Sequence, residues 1–319
     1  MERIFVQIAS YRDPELQSTL EDLFVKAADP NRIFVGLCLQ WIPELDQACT
    51  FNASRNDQVR CIRIQARESL GVCWARHLTQ KVWEGEEFTL QIDSHMRFEE
   101  HWDEKMISAL RVCPSKKAVL STYPAHYDPP GNLMRGYISS IIPSHFDEWN
   151  TLCLKSAEIL LEKAPSSPIP GTFCGTCFIF GPSDIISEVP YDPHVYFFGE
   201  EVSMSVRLWT KGWDIFHPNI PLVYHNWKRE YRPAHWEDVP RAEILDRKSR
   251  KRVNHLLGIE TGDTDSLVDL ERYGLGTIRT LEEYQEFSGI DFAVRSLIGF
   301  KLLPRVPDGE FKTIQPFFW

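Results

Sequence analysis

The chain has 319 residues, which is enough for a large core in one elaborated domain or in a domain with an appendage. Hydrophobic residues make up 43% of it and charged residues 25%, the proportions of an ordinary soluble globular protein. The formal net charge is −10, which argues against a nucleic-acid-binding protein, since such proteins usually carry a basic excess.

The N-terminal sequence "MERIFVQIASYRDP" enters a strand pattern directly and shows no signal-peptide pattern. No apolar run approaches the roughly 18 residues typical of a membrane span. The eight cysteines are scattered, without the density of a disulfide scaffold. These features predict a cytoplasmic protein with reduced thiols and no membrane span.

The first half of the chain alternates predicted strands and helices. Asp13 before Pro14 predicts an N-cap with proline at the first helical position. The alternation predicts an α/β domain with a Rossmann-like, mainly parallel sheet flanked by helices. The predicted strands are 4–9, 32–41, 59–66, 88–93 and 117–124, and the predicted helices are 13–28, 69–83 and 101–112.

The second half is less regular. Residues 128–172 are rich in Pro, Gly and Ser and are predicted to form long loops, with 164–172 the clearest flexible part. Strand and helix patterns then return, and Thr280 with Glu283 fits a capping box. We therefore predict a catalytic domain over 1–235 and a mainly helical C-terminal extension over 236–319, packed on it and ending in the apolar "PFFW".

The segment "FTLQIDSHMRF" ends a half-buried strand pattern on Asp93 and His95. Residues i and i+2 of an extended segment project to the same side, so a carboxylate and an imidazole could reach one ion. That mixture suits Mn²⁺ and tolerates Mg²⁺. An isolated D-x-H triplet is more often a surface turn, but its place at a strand end in an α/β pattern leaves the metal and the turn interpretations equally open.

His225 also ends a short apolar strand and enters the basic, aromatic loop "NWKREYRP". It is a candidate third ligand of the same ion. Lys228, Arg229 or Arg232 could clamp the phosphates of a diphosphate ligand, with Tyr231 as stacking surface. The alternative interpretation is a solvated basic turn.

The remaining motifs of the sequence do not indicate a further functional site. Cys174 and Cys177 have redox or zinc spacing, but they lie in an apolar strand pattern without a second C-x-x-C, which favours core packing. No nucleophile elbow, Walker loop or dinucleotide fingerprint is present. The sequence therefore argues against hydrolases, P-loop proteins and dinucleotide-binding enzymes.

In this order, the motifs resemble a GT-A glycosyltransferase, a nucleotide-sugar-binding α/β domain with a D-x-D or D-x-H metal motif. Residues 1 to about 235 carry the resemblance. "ASYRDP", with Ser10 and Arg12, is similar to the nucleotide-entry loop, and Arg76 is similar to a helix arginine that approaches the nucleotide. "FFGEEVSMSVRLW" resembles the segment that lines the sugar and acceptor site in polypeptide N-acetylgalactosaminyltransferases, and "YHNWKREYRP" resembles their histidine-led mobile loop.

The sequence of the whole chain, including "RYGLGTIRTLEEYQEFSGID", more closely resembles cytosolic polypeptide α-N-acetylglucosaminyltransferases that modify hydroxyproline. The resemblance implies a retaining hexosyltransferase that uses UDP-GlcNAc and Mn²⁺ or Mg²⁺. It leaves the acceptor open among hydroxyproline, Ser or Thr of a polypeptide, and a glycan. The implied donor-binding residues are Ser10, Arg12, Arg76, Asp93, Lys228, Arg229 and Tyr231, and the implied metal ligands are Asp93, His95 and His225.

Glu200 and Glu201 open a predicted helix and are the candidate catalytic residues. One would hydrogen-bond the sugar hydroxyls and the other would orient the acceptor. Acids are also favoured in any first helical turn, which is the simpler explanation. An inverting enzyme would use one of them as a general base, and a protein without turnover would be a nucleotide-sugar-binding scaffold.

Overall fold

An eight-stranded sheet and a smaller four-stranded sheet organise the protein in a computed structural model, which describes residues 2–52 and 55–300. Residues 301–319, with the C-terminal "PFFW", lie outside this range. The strands are β1 (Ile4–Tyr11), β2 (Ile33–Trp41), β3 (Val59–Gln65), β4 (Phe88–Asp93), β5 (Met96–Phe98), β6 (Ala118–Ser121), β7 (Ala125–Asp128), β8 (Asn132–Leu133), β9 (Tyr137–Phe146), β10 (Leu152–Leu160), β11 (Ile169–Gly171), β12 (Phe178–Pro182), β13 (Asp214–His217) and β14 (Val223–His225). The helices are α1 (Leu16–Val25), α2 (Val72–Gln80), α3 (Trp102–Arg111), α4 (Asp184–Glu188), α5 (Glu200–Thr210), α6 (His235–Asp238), α7 (Ala242–Leu256), α8 (Leu270–Tyr273) and α9 (Leu281–Ser288).

The large sheet has the order β11-β13-β6-β12-β4-β1-β2-β3. Strand β1 pairs in parallel with β2 and β4, and β13 pairs in parallel with β6, while β12 and β11 run antiparallel to their neighbours. The predicted α/β architecture with a mainly parallel sheet is therefore confirmed. The register places Ala9 beside Asp93, so the carboxyl ends of β1 and β4 meet at one edge of the sheet.

The central strands are buried on both faces, as expected for a sheet covered by helices. On one face, Ile4 and Val6 of β1 share a hydrophobic cluster with Leu20 of α1 and Trp102 of α3. Phe5 points to the other face, into a second cluster. Because side chains alternate along β1, the strand contributes to a core on each face of the sheet. Truncating the buried Leu20 of α1 to Ala would cost about 2–5 kcal/mol of stability.

The first helix begins later than the sequence predicts. Helix α1 has Glu15 as its N-cap, and the predicted N-cap Asp13 lies before it. The Asp13 Oδ1 atom accepts a hydrogen bond from the Glu15 backbone N–H at 3.0 Å. The N-cap prediction was wrong because the other carboxylate oxygen of Asp13 bonds to residues far along the chain.

The prediction of long loops over 128–172 was also wrong. Strands β9 and β10 form a long antiparallel hairpin there, and β11 pairs with β13 at the edge of the large sheet. Strand β9 buries residues 138–141 in succession and shows no alternation of apolar and polar residues, so the local abundance of Pro, Gly and Ser was the stronger sequence signal.

After residue 235 the described chain is mainly helical, and its helices share a core with the large sheet. Val253 of α7 and Tyr284 of α9 join the cluster that contains Trp213, and the Tyr284 hydroxyl donates to the Thr172 carbonyl at 2.9 Å. The predicted capping box at α9 is present, since Thr280 and Glu283 exchange both hydrogen bonds. The domain boundary at 235 stays a prediction.

Within residues 2–52 and 55–300, every helix is too short or too polar to cross a lipid bilayer.

Candidate metal centre

Three side chains with metal-ligating atoms meet beyond the carboxyl end of β4. One ligand atom from each of Asp93, His95 and His225 lies within 4.8 Å of the other two. The Nε2 atom of His225 is 3.2 Å from the Asp93 Oδ2 atom, and the Nε2 atom of His95 is 3.9 Å from the same oxygen. The structure therefore brings together the three residues that the sequence predicts as ligands.

The two sheets position this cluster jointly. Asp93 ends β4, and His95 lies between β4 and β5. Strand β14 then pairs antiparallel with β5, so that His225 lies opposite Met96. The short β5–β14 ladder is what carries a histidine from far along the chain to the end of the central sheet.

The charges of the cluster suit a divalent cation. Burial and the neighbouring His95 lower the pKa of His225 to about 3, so its imidazole is neutral and has a lone pair for a metal. Burial alone would raise the pKa of Asp93, but the hydrogen bond from His225 and the charge of Arg76 lower it below its usual range. One carboxylate oxygen and two imidazole nitrogens fit Mn²⁺ and leave room for oxygen ligands from a substrate.

Arg76 of α2 lies between the metal cluster and the first turn of α5. Its Nη2 atom donates to Asp93 Oδ1 and its Nη1 atom donates to Glu200 Oε2, each at 2.8 Å. The Arg76 side chain is only 2% exposed, whereas that of Asp93 is 24% exposed. The guanidinium therefore links two carboxylates from within the protein, and its predicted contact with a nucleotide stays a prediction.

Glu200 and Glu201 open α5 after Gly199, whose φ of 83° is left-handed. Glu200 also accepts from the Thr176 hydroxyl at 2.7 Å and from the Cys73 thiol at 3.0 Å. Its hydrogen bonds therefore hold it among α2, the segment before β12 and its own helix.

Glu201 turns the other way, toward Tyr123, whose hydroxyl donates to Glu201 Oε2 at 2.5 Å. Burial raises the pKa of Glu201 to about 7, assisted by the nearby Glu200 and opposed by the hydrogen bond from Tyr123. The two adjacent acids thus have different partners, because Glu200 is paired with the Arg76 cation and Glu201 is bonded to the neutral Tyr123 hydroxyl.

The loop after β14 carries the predicted phosphate-binding residues. Lys228 is 57% exposed and its Nζ atom is 2.5 Å from Asp128 Oδ1. The Arg229 guanidinium lies over the rings of Phe197 and Trp236, and burial lowers its pKa to about 10. The ring of Tyr231 packs edge-on against His95, with centroids 6.5 Å apart. Their predicted roles in donor binding stay predictions.

The end of β1 holds the other two predicted donor-binding residues. The Ser10 hydroxyl is buried and has no hydrogen-bond partner among the described residues. Arg12, with a left-handed φ of 45°, donates to both oxygens of Asp46 and pairs with Asp238 of α6 at 2.8 Å. In this structure the Arg12 guanidinium connects the strand end to α6, and nucleotide binding by it stays a prediction.

A family model described as glycosyltransferase (GlcNAc) matches residues 3–54 and 41–294. The chain belongs to this family. No curated protein sequence matches the chain significantly.

Two solved structures are similar to this glycosyltransferase. The crystal structure of GalNAc-T7 with UDP, GalNAc and Mn²⁺ has a TM-score of 0.59 at 13% identity, covering 89% of this chain and 54% of that one. The chain thus spans about half the length of GalNAc-T7. The structure of S. aureus TarS 1-349 has a TM-score of 0.46 at 11% identity, with 79% and 69% covered. The likeness to GalNAc-T7 confirms the predicted GT-A fold.

The most consequential residue that the sequence reasoning missed is Asp13. Its Oδ2 atom lies 2.7 Å from both the His95 Nδ1 atom and the Ser94 hydroxyl oxygen. Burial opposes ionisation of Asp13, but His95 and Arg232 hold its pKa well below the usual range. The Asp-Pro pattern gave no signal for this contact, because it joins residues more than 80 positions apart.

Cys174 and Cys177 are free and buried, and burial raises the pKa of both thiols. Raised thiol pKa values disfavour the reactive thiolate. The geometry therefore agrees with packing in the core.

Proposed function

We propose that this glycosyltransferase is retaining and metal-dependent, and that it transfers GlcNAc from UDP-GlcNAc to a hydroxyl of a polypeptide, on hydroxyproline or Ser/Thr, in the cytoplasm. The observation that carries the proposal is the Asp93, His95 and His225 cluster at the end of β4 in a chain of the GlcNAc glycosyltransferase family. GalNAc-T7, which has a similar fold, is known with UDP and Mn²⁺ bound.

Asp93, His95 and His225 would hold Mn²⁺ or Mg²⁺. When bound, the ion would supply Lewis-acid neutralisation of the diphosphate of the departing UDP. The protein keeps the ligands ready, since Asp93 is ionised and His225 is neutral at neutral pH. Binding therefore requires no net loss of a proton, although the His225 proton that faces Asp93 would move from Nε2 to Nδ1 for Nε2 to bind the ion.

The remaining charges would act on the same leaving group. Lys228 and Arg229 lie on the loop that follows the ligand His225 and would contact the phosphates of the donor. Positive charge fixed near a departing phosphate stabilises the charge that develops as the glycosidic bond breaks. Ser10, Arg12 and Tyr231 would border the nucleotide.

Glu200 and Glu201 would orient the sugar and the acceptor, respectively. The pairing of Glu200 with Arg76 fixes its carboxylate and links it to Asp93, which suits a residue that orients sugar hydroxyls. Glu201 is bonded to Tyr123 and has a raised pKa of about 7, which suits a residue at the acceptor side.

The raised pKa of Glu201 also favours a second candidate, an inverting transferase that builds a glycan. A carboxylate that titrates near neutral pH is suited to act as a general base toward an acceptor hydroxyl. A retaining enzyme leaves that proton to the departing phosphate, so the two candidates differ in the stereochemistry of the product.

The test is an incubation of the full chain with UDP-GlcNAc, with Mn²⁺ or with EDTA, and with peptides that contain hydroxyproline, serine or, as control, proline. We expect Mn²⁺-dependent release of UDP and an α-linked GlcNAc on a hydroxyl peptide, read by NMR from the anomeric coupling. A β-linked product would replace the proposal with the inverting candidate. No release of UDP under any condition would leave a nucleotide-sugar-binding scaffold.

A further inference from the structure

Asp13 is a fully buried carboxylate at the carboxyl end of β1, with a relative exposure of 0%. All its short contacts are with hydrogen-bond donors. Oδ1 accepts from the Glu15 N–H at 3.0 Å, and Oδ2 accepts from Ser94 and His95, each at 2.7 Å. Arg232 of the loop after β14 brings its Nε atom to 3.6 Å from Oδ2.

This arrangement selects one form of the His95 ring. A carboxylate can only accept hydrogen bonds, so the Nδ1 atom of His95 must carry a proton toward Asp13. In the neutral ring the Nε2 atom then holds the lone pair, and this is the atom that faces Asp93. Asp13 therefore determines both the tautomer and the orientation of a metal ligand.

We propose that Asp13 is a positioning residue of the metal centre, which presents the Nε2 lone pair of His95 to the cation. This inference rests on the proposed function only in taking His95 as a ligand. Carboxylate partners of metal-bound histidines fix the ring and raise its basicity, and their loss weakens metal affinity by about 10–100-fold.

The same carboxylate reaches the loop that carries the phosphate-binding candidates. Arg232 approaches the oxygen that His95 uses, so the loop and the metal motif share one buried anion. Removing the charge of Asp13 leaves the Arg232 guanidinium without that partner, which adds to the cost of the substitution.

The experiment measures Mn²⁺ binding by electron paramagnetic resonance, using the full chain with UDP at a fixed concentration. We expect Asp13→Asn to weaken Mn²⁺ binding by about 10–100-fold. Asparagine keeps the shape, but its amide NH₂ would face a donor, because both oxygens of Asp13 accept hydrogen bonds.

Asp103→Asn is the matched control. Asp103 of α3 is also 0% exposed, and its two oxygens accept from the backbone N–H groups of Ala28 and Asp29 and from Arg32. Its loss costs stability in the same way but touches no metal ligand, so we expect unchanged Mn²⁺ affinity. Equal Mn²⁺ affinity in Asp13→Asn and the wild type would overturn the inference.

A second readout needs no Asp13 variant to fold. Nitrogen-15 NMR of histidine-labelled wild type, free of metal, reports which ring nitrogen carries the proton, with His95→Gln used for assignment. We expect the proton on Nδ1 of His95, and a proton on Nε2 would overturn the inference. A chain that binds Mn²⁺ through Asp13-supported His95 but transfers no sugar would contradict the proposed function and leave this inference standing.

Discussion

The two sides of the candidate metal centre are supported differently. On the β4 side, Asp93 is paired with buried Arg76, and the Nδ1 atom of His95 is bonded to buried Asp13. On the β14 side, the Nδ1 atom of His225 is buried without a hydrogen-bond partner among the residues described. The His225 ring is held by the hydrogen bond of its Nε2 atom to Asp93 and by packing on Trp227, with ring centroids 4.0 Å apart.

We call the side with Asp93 and His95 the fixed half of the site and the side with His225 the adaptable half. Charge-assisted hydrogen bonds determine a side chain's direction, whereas ring packing tolerates small shifts. The adaptable half leads into the loop with exposed Lys228, and the fixed half is continuous with the central sheet. We therefore expect substitutions in the fixed half to have the larger effects.

The largest effect is expected from Asp93→Ala. It removes the oxygen ligand and leaves Arg76 with Glu200 as its remaining carboxylate partner. Mn²⁺-dependent release of UDP from UDP-GlcNAc should fall by about 10²–10³-fold in a steady-state assay. Asp265→Ala, which removes a carboxylate that is 73% exposed and pairs with Lys248, is the control, and wild-type turnover in Asp93→Ala would contradict the metal assignment.

Arg76→Met tests the fixed half through stability. It leaves Asp93 and Glu200 without their shared cation, and removing one partner of a buried ion pair costs about 3–5 kcal/mol. Because Asp93 is partly exposed, we expect a value at the low end of that range from urea denaturation. Arg63→Met, at an exposed position of β3, should change stability little, and an equal loss in both variants would show that the link is unimportant.

Arg229→Ala tests the adaptable half. Loss of one phosphate-binding cation should weaken UDP binding about tenfold, measured calorimetrically in Mn²⁺, while the fold remains. Arg63→Ala removes an exposed charge away from the centre and serves as the reference. If the UDP affinity of Arg229→Ala equals that of the wild type, Arg229 does not contact the donor.

A buried histidine outside the centre sharpens the comparison. His217 is 2% exposed, and burial lowers its pKa to about 4 from 6.5. The unfolded chain takes up this proton first, so the stabilising contribution is complete above about pH 6.5 and is lost as pH falls toward 4. His217→Gln should therefore flatten the pH dependence of the unfolding free energy by about 1.4 kcal/mol per pH unit.

The control for this pH prediction is Ile141→Val, whose backbone N–H donates to the Nε2 atom of His217. It should lower stability by about 1 kcal/mol at every pH without changing the slope. An unchanged slope in His217→Gln would show that His217 does not become charged on unfolding in that range.

The three candidate ligands could be predicted from the sequence because each one lies at or just beyond the end of a recognisable apolar strand. Asp93 stands where β4 ends at the carboxyl edge of the large sheet, and His225 stands where β14 ends in the small sheet. The β5–β14 ladder brings the two ends together. The alternation that predicted the α/β fold is likewise local. Both predictions used information contained within about ten residues.

What could not be predicted depends on contacts between distant residues. Arg76 meets Glu200 across 124 positions, and Asp13 meets His95 across 82. The Asp-Pro pattern predicted an N-cap at Asp13, and local composition predicted a loop where the β9–β10 hairpin lies. In each case tertiary packing decided against the local preference.

Calorimetric titration of UDP into the wild-type chain, once with Mn²⁺ and once with EDTA, tests the central claim most directly. If Asp93, His95 and His225 hold a cation that the diphosphate shares, UDP should bind at least about tenfold more tightly with Mn²⁺. Equal affinity under both conditions, or no binding in either, would contradict the claim that this cluster is a metal and nucleotide site.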